Sequence, residues 1–204
     1  YDLLEPERFA VPFTTLDQIK DFTGFVNISA PQMFVAFDRC VDGSNGVDGR
    51  LFNDTFLRLV AATRPEVIED QDGANTVTEI ATRLFETFDD GSGTVSSSDI
   101  KSGMSVLCGG DMNDKAAATF SLYDLNGDGY ISKSEMVAYL TNVFKVMYCV
   151  NAATRTKFGT VTPETLAMAT TEDAFDHNDV NHDNLLSFDE FQHWYSPDTT
   201  AASS

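Results

Sequence analysis

The stretch Asp124-Leu125-Asn126-Gly127-Asp128-Gly129-Tyr130-Ile131-Ser132-Lys133-Ser134-Glu135 limits what this chain can be more than any other. Its residues fall at the spacing of a twelve-residue calcium loop. Asp124, Asn126 and Asp128, at positions 1, 3 and 5, supply hard oxygen ligands. Gly129 at position 6 permits the sharp turn, and Tyr130 at position 7 offers its backbone carbonyl. Ser132 at position 9 contributes directly or through water, and Glu135 at position 12 closes the cage with two oxygens. Ca²⁺ takes about six to eight oxygens in a flexible cage, and this short segment delivers them. An acidic, glycine-rich surface turn would have no reason to satisfy all of these positions together.

The flanks agree with the loop. Phe120 and Tyr123 lie on the inner face of an incoming helix, four and one residues before Asp124. Ser132 and Glu135 form an S-x-x-E capping box, so the end of the loop is the start of the next helix, and Met136 opens its apolar face. This is the helix–loop–helix of an EF-hand.

The pattern repeats. The F-x-x-x-D step of Phe120 and Asp124 recurs as Phe34/Asp38, Phe85/Asp89 and Phe175/Asp179. On the exit side, an aliphatic loop residue is followed five later by an apolar helix residue. That step gives Leu51/Phe56, Val95/Ile100, Ile131/Met136 and Leu186/Phe191. Four units sharing both anchors predict an all-α fold of four EF-hands in two paired lobes, in the manner of calmodulin and recoverin. Short two-stranded β-ribbons join the paired loops, because a lone unit cannot bury its apolar face. The expected pairings are Leu51 with Val95 and Ile131 with Leu186.

The four loops are unequal. Loop four, Asp179 to Glu190, places Asp179, Asn181, Asp183, Leu185, Ser187 and Glu190 at positions 1, 3, 5, 7, 9 and 12. Its departure is Asn184 at position 6, and Asn tolerates the left-handed backbone best after Gly. Loops three and four are therefore the two expected Ca²⁺ sites. Loop two is a weaker third candidate, with Asp89, Asp90, Ser92, Thr94 and Asp99 as its oxygen donors. It is one residue short between its first two acids, and Asp99 closes it one methylene shorter than Glu. Loop one is degenerate: Asp38 to Thr55 spans 18 residues, and Thr55 stands where Glu is expected. Aligned from its exit side, Ser44, Gly46 and Asp48 take the ligand positions, which is a single carboxylate.

Cys108-Gly109-Gly110-Asp111 reads as a helix stop followed by a fresh N-cap. It divides an extended arm and N-terminal lobe (1–13, 14–108) from a C-terminal lobe (111–196), with a polar tail at 197–204 expected to be disordered. Within the C-terminal lobe, 151–161 reads as a loop, and Thr162-Pro163-Glu164 restarts a helix. Thr15 caps a short first helix with Leu16, Ile19 and Phe22 on one face, and a second helix runs from Pro31 to about Asp42.

The net charge of −19 argues against nucleic acid and anionic membranes, and for cations or basic partner segments. No apolar run reaches membrane-spanning length. Cys40, Cys108 and Cys149 are unpatterned and read as thiols in a reducing, intracellular compartment. The first residue is Tyr, so the chain reads as a fragment or trimmed product, and a lipid anchor on a native N-terminus is left open. His177, His182 and His193 surround loop four, but the neighbouring carboxylates favour Ca²⁺ over a transition metal. No Ser/His/Asp set, phosphate loop or Cys/His cluster appears, so no catalysis is read.

Two stretches carry a narrower likeness. Ser102-Gly103-Met104-Ser105-Val106-Leu107-Cys108-Gly109-Gly110-Asp111, followed by Lys115, Phe120 and Tyr123 through Ile131, resembles the middle of neuronal-calcium-sensor-type proteins. That group includes recoverin, the potassium-channel-interacting proteins and calaxin. The order of units, with two poor ones before two good ones, is similar as well. Ser44-Asn45-Gly46-Val47 before Asp48-Gly49 is most like calaxin. The resemblance implies a cytoplasmic sensor whose hydrophobic groove holds a helical or basic segment of a protein target. Met104, Met136 and Met147 are the groove candidates, and Phe191, Trp194 and Tyr195 fit either core packing or a groove wall. The alternatives are a constitutive structural subunit of a ciliary or cytoskeletal assembly and the regulatory EF-hand region of a larger enzyme.

Overall fold

Side-chain caps fix where most of the helices begin. In the computed structural model, which describes residues 15–39, 46–124, 126–150 and 159–196, Thr15 caps α1 (Leu16–Thr23) through a complete capping box with Gln18. Ser29 does the same for α2 (Ala30–Asp38) with Gln32. Asp48 caps α3 (Gly49–Thr63). Pro65, at the first turn of α4 (Pro65–Glu69), opens a short helix that the periodicity does not predict. Asp70 caps α5 (Gln71–Phe88), and Ser96 caps α6 (Ser97–Met104). Asp111 caps α7 (Met112–Tyr123), as its place after two glycines predicts. α8 (Lys133–Val150) follows the Ser132–Glu135 box. Thr162 caps α9 (Pro163–Asn178), and Ser187 caps α10 (Phe188–Tyr195).

The architecture is helical, with two short antiparallel ribbons, as expected. β1 (Gly46–Asp48) pairs with β2 (Thr94–Ser96), and β3 (Tyr130–Ser132) pairs with β4 (Leu185–Ser187). In the second ribbon Ile131 faces Leu186, as predicted. In the first, Val47 and not Leu51 faces Val95. The repeat anchor of unit one is therefore Val47/Phe52, four residues earlier than the sequence reading placed it. Asp48 explains the shift: its Oδ1 accepts from the Leu51 N–H at 2.8 Å, which commits Leu51 to the first turn of α3. Position 12 of loop one then falls on Leu51, which has no carboxylate. Thr55 lies one turn further on, buried, with its hydroxyl donating to the Leu51 carbonyl. The second helix ends at Asp38, and Ser44 lies outside the described residues, as do Cys40, the arm, the segment 151–158 and the tail.

Two hydrophobic clusters form the interior. The first gathers Phe25, Phe37, Phe52, Phe56, Leu84 and Ile100 with other apolar residues from 19 to 108. Its phenylalanines pack ring against ring, Phe37 on Phe52 at 5.4 Å and Phe25 on Phe56 at 5.0 Å. The second gathers Phe120, Tyr123, Ile131, Met136, Phe175, Leu186 and Phe191. α8 belongs to both: Met136, Tyr139, Leu140 and Val143 lie in the second cluster, Val146 and Val150 in the first. The bend between the clusters is tight. The Gly109 N–H donates to the carbonyls of Phe25 and Ile28, both at 2.9 Å, and a Cβ on Gly109 would overlap the Val26 carbonyl. The buried thiol of Cys108 beside it is pushed up to about 12 by burial.

Candidate metal centre

Loops three and four are built to the same plan. In loop three the Asp124 carboxylate accepts from the Asp128 and Gly129 N–H groups, each at 2.8 Å. Asn126 Oδ1 accepts from Asp128 N–H at 2.8 Å, and Asp128 Oδ1 from Tyr130 N–H at 2.9 Å. In loop four Asp179 accepts from Asp183 and Asn184 N–H at 3.2 and 2.9 Å. Asn181 and Asp183 repeat the next two bonds, at 3.1 and 2.9 Å. These bonds curl each loop around its own side-chain oxygens, so acids that would repel one another are held by amide dipoles. The ribbon then fixes one loop against the other.

The closing glutamates sit in their caps. Glu135 Oε2 accepts from Ser132 N–H at 2.8 Å and from its hydroxyl at 2.7 Å. Glu190 Oε2 does the same with Ser187 at 2.9 and 2.7 Å, and its Oε1 accepts from Val180 N–H at 3.0 Å. Burial pushes the Glu190 carboxyl up, but the donors from Ser187, Val180 and Asn181 outweigh it and hold the group below the ordinary carboxylate range. Among the described residues no three His, Cys, Asp or Glu side chains converge on one point. The carboxylates are engaged by loop amides and caps instead. The remaining oxygens of such a loop come from Asn126, Ser132 and the Tyr130 carbonyl, or Asn181, Ser187 and the Leu185 carbonyl. That oxygen-only set is matched to a hard divalent cation rather than to zinc or copper.

Two left-handed positions make the turns. Gly127 and Gly129 have φ of 72° and 83° in loop three. In loop four the same places are held by His182 at φ 58° and Asn184 at φ 64°. The sequence reading identified Asn184 and missed His182, because only position 6 of the loop pattern announces its glycine. Loop four thus carries two side chains in a conformation that glycine adopts freely.

Loop two is organised differently. Asp89 Oδ1 accepts from Gly91 and Gly93 N–H at 3.1 and 3.0 Å, and Asp90 from Ser92 N–H at 3.1 Å. Ser92 donates to the Thr94 carbonyl at 2.9 Å. Asp99 is tied on both oxygens, to the Ser96 hydroxyl at 2.7 Å and to Asn142 Nδ2 at 2.9 Å. Asp38, the first acid of unit one, also looks elsewhere: its Oδ1 accepts from Lys101 Nζ at 2.7 Å and Ser97 Oγ at 3.2 Å. Asn142 was legible only as a polar residue inside the apolar run of α8. The histidines bring no ligand cluster together; His177 Nδ1 lies 2.8 Å from the Asp173 carbonyl.

Comparison with known proteins agrees with the geometry. Residues 113–196 match the EF-hand domain pair family. A recoverin family protein of Dictyostelium discoideum is 27% identical over 192 residues, spanning 91% of this chain and 82% of that protein. Calaxin of Xenopus laevis is 42% identical over 64 residues, 31% of each chain. The crystal structure of caltubin from the great pond snail is 21% identical, covering 82% of this chain and 97% of that one, with a TM-score of 0.30. Paired helix–loop–helix units joined by ribbons, with two acid-lined loops, define a calcium-binding EF-hand protein. Within that class this chain is similar to the recoverin family protein over most of its length and to calaxin over a shorter stretch. No helix among the described residues is long and apolar enough to cross a membrane.

Proposed function

We propose that the chain is a two-site Ca²⁺ sensor or adaptor whose C-terminal half, about 111–196, opens to take a segment of a protein partner. Asp124, Asn126, Asp128, Tyr130, Ser132 and Glu135 hold one ion. Asp179, Asn181, Asp183, Leu185, Ser187 and Glu190 hold the other. The observation that carries this reading is the matched hydrogen-bond plan of loops three and four, each ending in a glutamate that begins an exit helix. Ca²⁺ drawing Glu135 and Glu190 inward would move α8 and α10 with them. Met136 and Phe191 are fully buried in the second cluster, and Phe144, Met147 and Trp194 pack against it. Opening would uncover that surface as a groove. The charge of −19 favours a basic or helical partner segment.

Met104, the third groove candidate, is buried in the first cluster and serves as core there. The N-terminal half, about 14–108, is on this reading the static half. The alternative, a constitutive subunit of a larger assembly, is favoured by one feature: Asp38 of unit one and Asp99 of unit two are engaged in contacts between helices. Calorimetry of the full chain tests the first reading. Two ions with affinity of about 10⁻⁷–10⁻⁵ M are expected; four ions, or none, would overturn the assignment. Binding of a hydrophobic dye that rises with Ca²⁺ favours the sensor, and dye binding indifferent to Ca²⁺ favours the constitutive subunit.

A further inference from the structure

The closing acid of loop two has a partner that no other closing residue has. Among the described residues, Glu135 and Glu190 accept only from donors of their own loops. Asp99 Oδ1 accepts at 2.9 Å from the side chain of Asn142, which belongs to the exit helix of loop three. Asn142 is 6% exposed, on the buried face of α8 with Met136, Leu140, Val143 and Val146. A buried amide is costly unless it is paired, and Asp99 provides the pairing. The helices around the bond are in close contact. A Cβ on Gly103 of α6 would press on the Phe88 ring and lie 2.9 Å from Val146 Cγ2 of α8. Val146 and Val150 then run on into the first cluster.

α8 is therefore one rod with two attachments. At about 1.5 Å per residue its 18 residues span about 27 Å. Glu135 stands at its start, Asn142 two turns on, and the last turns are embedded among N-terminal residues. A movement of Glu135 toward an ion cannot leave the far end of a stiff helix undisturbed.

We infer that Asp99 and Asn142 form a latch between the two halves, which holds α8 in its resting position and transmits occupancy of loop three to α6. Loop two thus spends its closing carboxylate on coupling rather than on an ion. The inference rests on loop three being an ion site, since the latch opposes the pull on Glu135. Releasing it lets α8 follow that pull more easily, so Ca²⁺ binds tighter without it. By linkage, Ca²⁺ weakens the latch by the same factor.

The test compares the full chain with Asn142→Ala, which leaves every loop oxygen in place. Calorimetry gives the affinity of the C-terminal sites, and amide exchange of residues 97–104 with and without Ca²⁺ gives the response of α6. The latch predicts affinity tightened by about 3- to 10-fold in Asn142→Ala. It also predicts a Ca²⁺-dependent change in α6 exchange that is present in the wild type and lost in the variant. Equal affinity together with equal exchange responses overturns it. If calorimetry finds no ion at all, the reading of loop three fails instead, and denaturant unfolding of the ion-free protein decides the latch by itself. There Asp99→Ala, Asn142→Ala and the double variant form a cycle. A coupling of about 5-fold or more in the unfolding constant supports the latch, and additive effects overturn it. Should Asn142→Ala fail to fold, Asp99→Asn replaces it as the isosteric variant. It keeps a weaker bond, and its shifts in affinity and exchange are expected in the same direction and smaller; none at all overturns the latch.

Discussion

The two ribbons of this protein are alike in backbone and differ in where the acids beside them reach. In the C-terminal pair the side chains at positions 1, 3 and 5 and the closing glutamates turn inward and accept from their own loop. In the N-terminal pair Asp38 reaches Lys101, Asp99 reaches Asn142, and position 12 of loop one is Leu51. On the proposed reading the same helix–loop–helix frame serves as an ion cage in one half and as a brace in the other. The ribbon and the apolar anchors carry the fold; where the carboxylates point carries the function. The pairing of Val47 with Val95 buries both side chains although position 12 of loop one offers no carboxylate.

The sharpest way to break this comparison is at position 12. Glu135→Gln removes one charge from a complete cage, and Ca²⁺ affinity of loop three should fall about 100-fold, with one ion fewer counted by calorimetry. Asp99→Asn should leave the ion count unchanged, because loop two is one residue short and Asp99 is held by the side chain of Asn142 on another helix. Equal losses from the two substitutions would mean that the halves do not differ as their hydrogen bonds indicate.

Much of this was legible in the sequence, and the failures have local causes. The S-x-x-E cap of Ser132 and Glu135 and the five-residue steps from ribbon to helix at Val95, Ile131 and Leu186 are short-range features, and these appear where they were read. Unit one was misplaced by four residues because Leu51 and Val47 are both aliphatic and both precede a phenylalanine by five. Only the Asp48 cap distinguishes them. The Asp99–Asn142 and Asp38–Lys101 contacts join residues far apart in the chain, and no local pattern announces them. α8 crossing between the clusters was hidden for a related reason. Its apolar face is continuous, and periodicity does not say which neighbour each turn meets.

A smaller effect separates the two C-terminal loops from each other. Loop four places His182 and Asn184 where loop three has glycines, all four left-handed. The left-handed backbone costs a side chain about 1–2 kcal/mol, and glycine returns about 0.4–1 kcal/mol of that through the freedom of the unfolded chain. His182→Gly should therefore stabilise the ion-free protein by about 0.5–1 kcal/mol in denaturant unfolding. Asn184→Gly should gain less, since Asn tolerates the conformation. The converse changes, Gly127→Ala and Gly129→Ala, should destabilise, and a gain from either would show that loop three is not held in the geometry described.

The subtlest readout is also the one that bears on switching. Trp194 is the only tryptophan, four residues after Glu190 on α10. Its ring packs against Phe191 at 5.8 Å and Tyr195 at 6.3 Å, half-buried at the edge of the second cluster. If Ca²⁺ draws Glu190 out of its Ser187 cap, α10 turns and the surroundings of the indole change. The expected result is a shift of a few nanometres in Trp194 emission on Ca²⁺ addition, saturating with the calorimetric titration. Glu190→Gln should remove the shift, while Asp99→Asn should preserve it, because loop two is not one of the two proposed sites. A spectrum and dye binding that stay unchanged while calorimetry still counts two ions would sink the switch. The C-terminal cages would then stabilise a permanent subunit, and the contrast between the halves would be one of ion content alone.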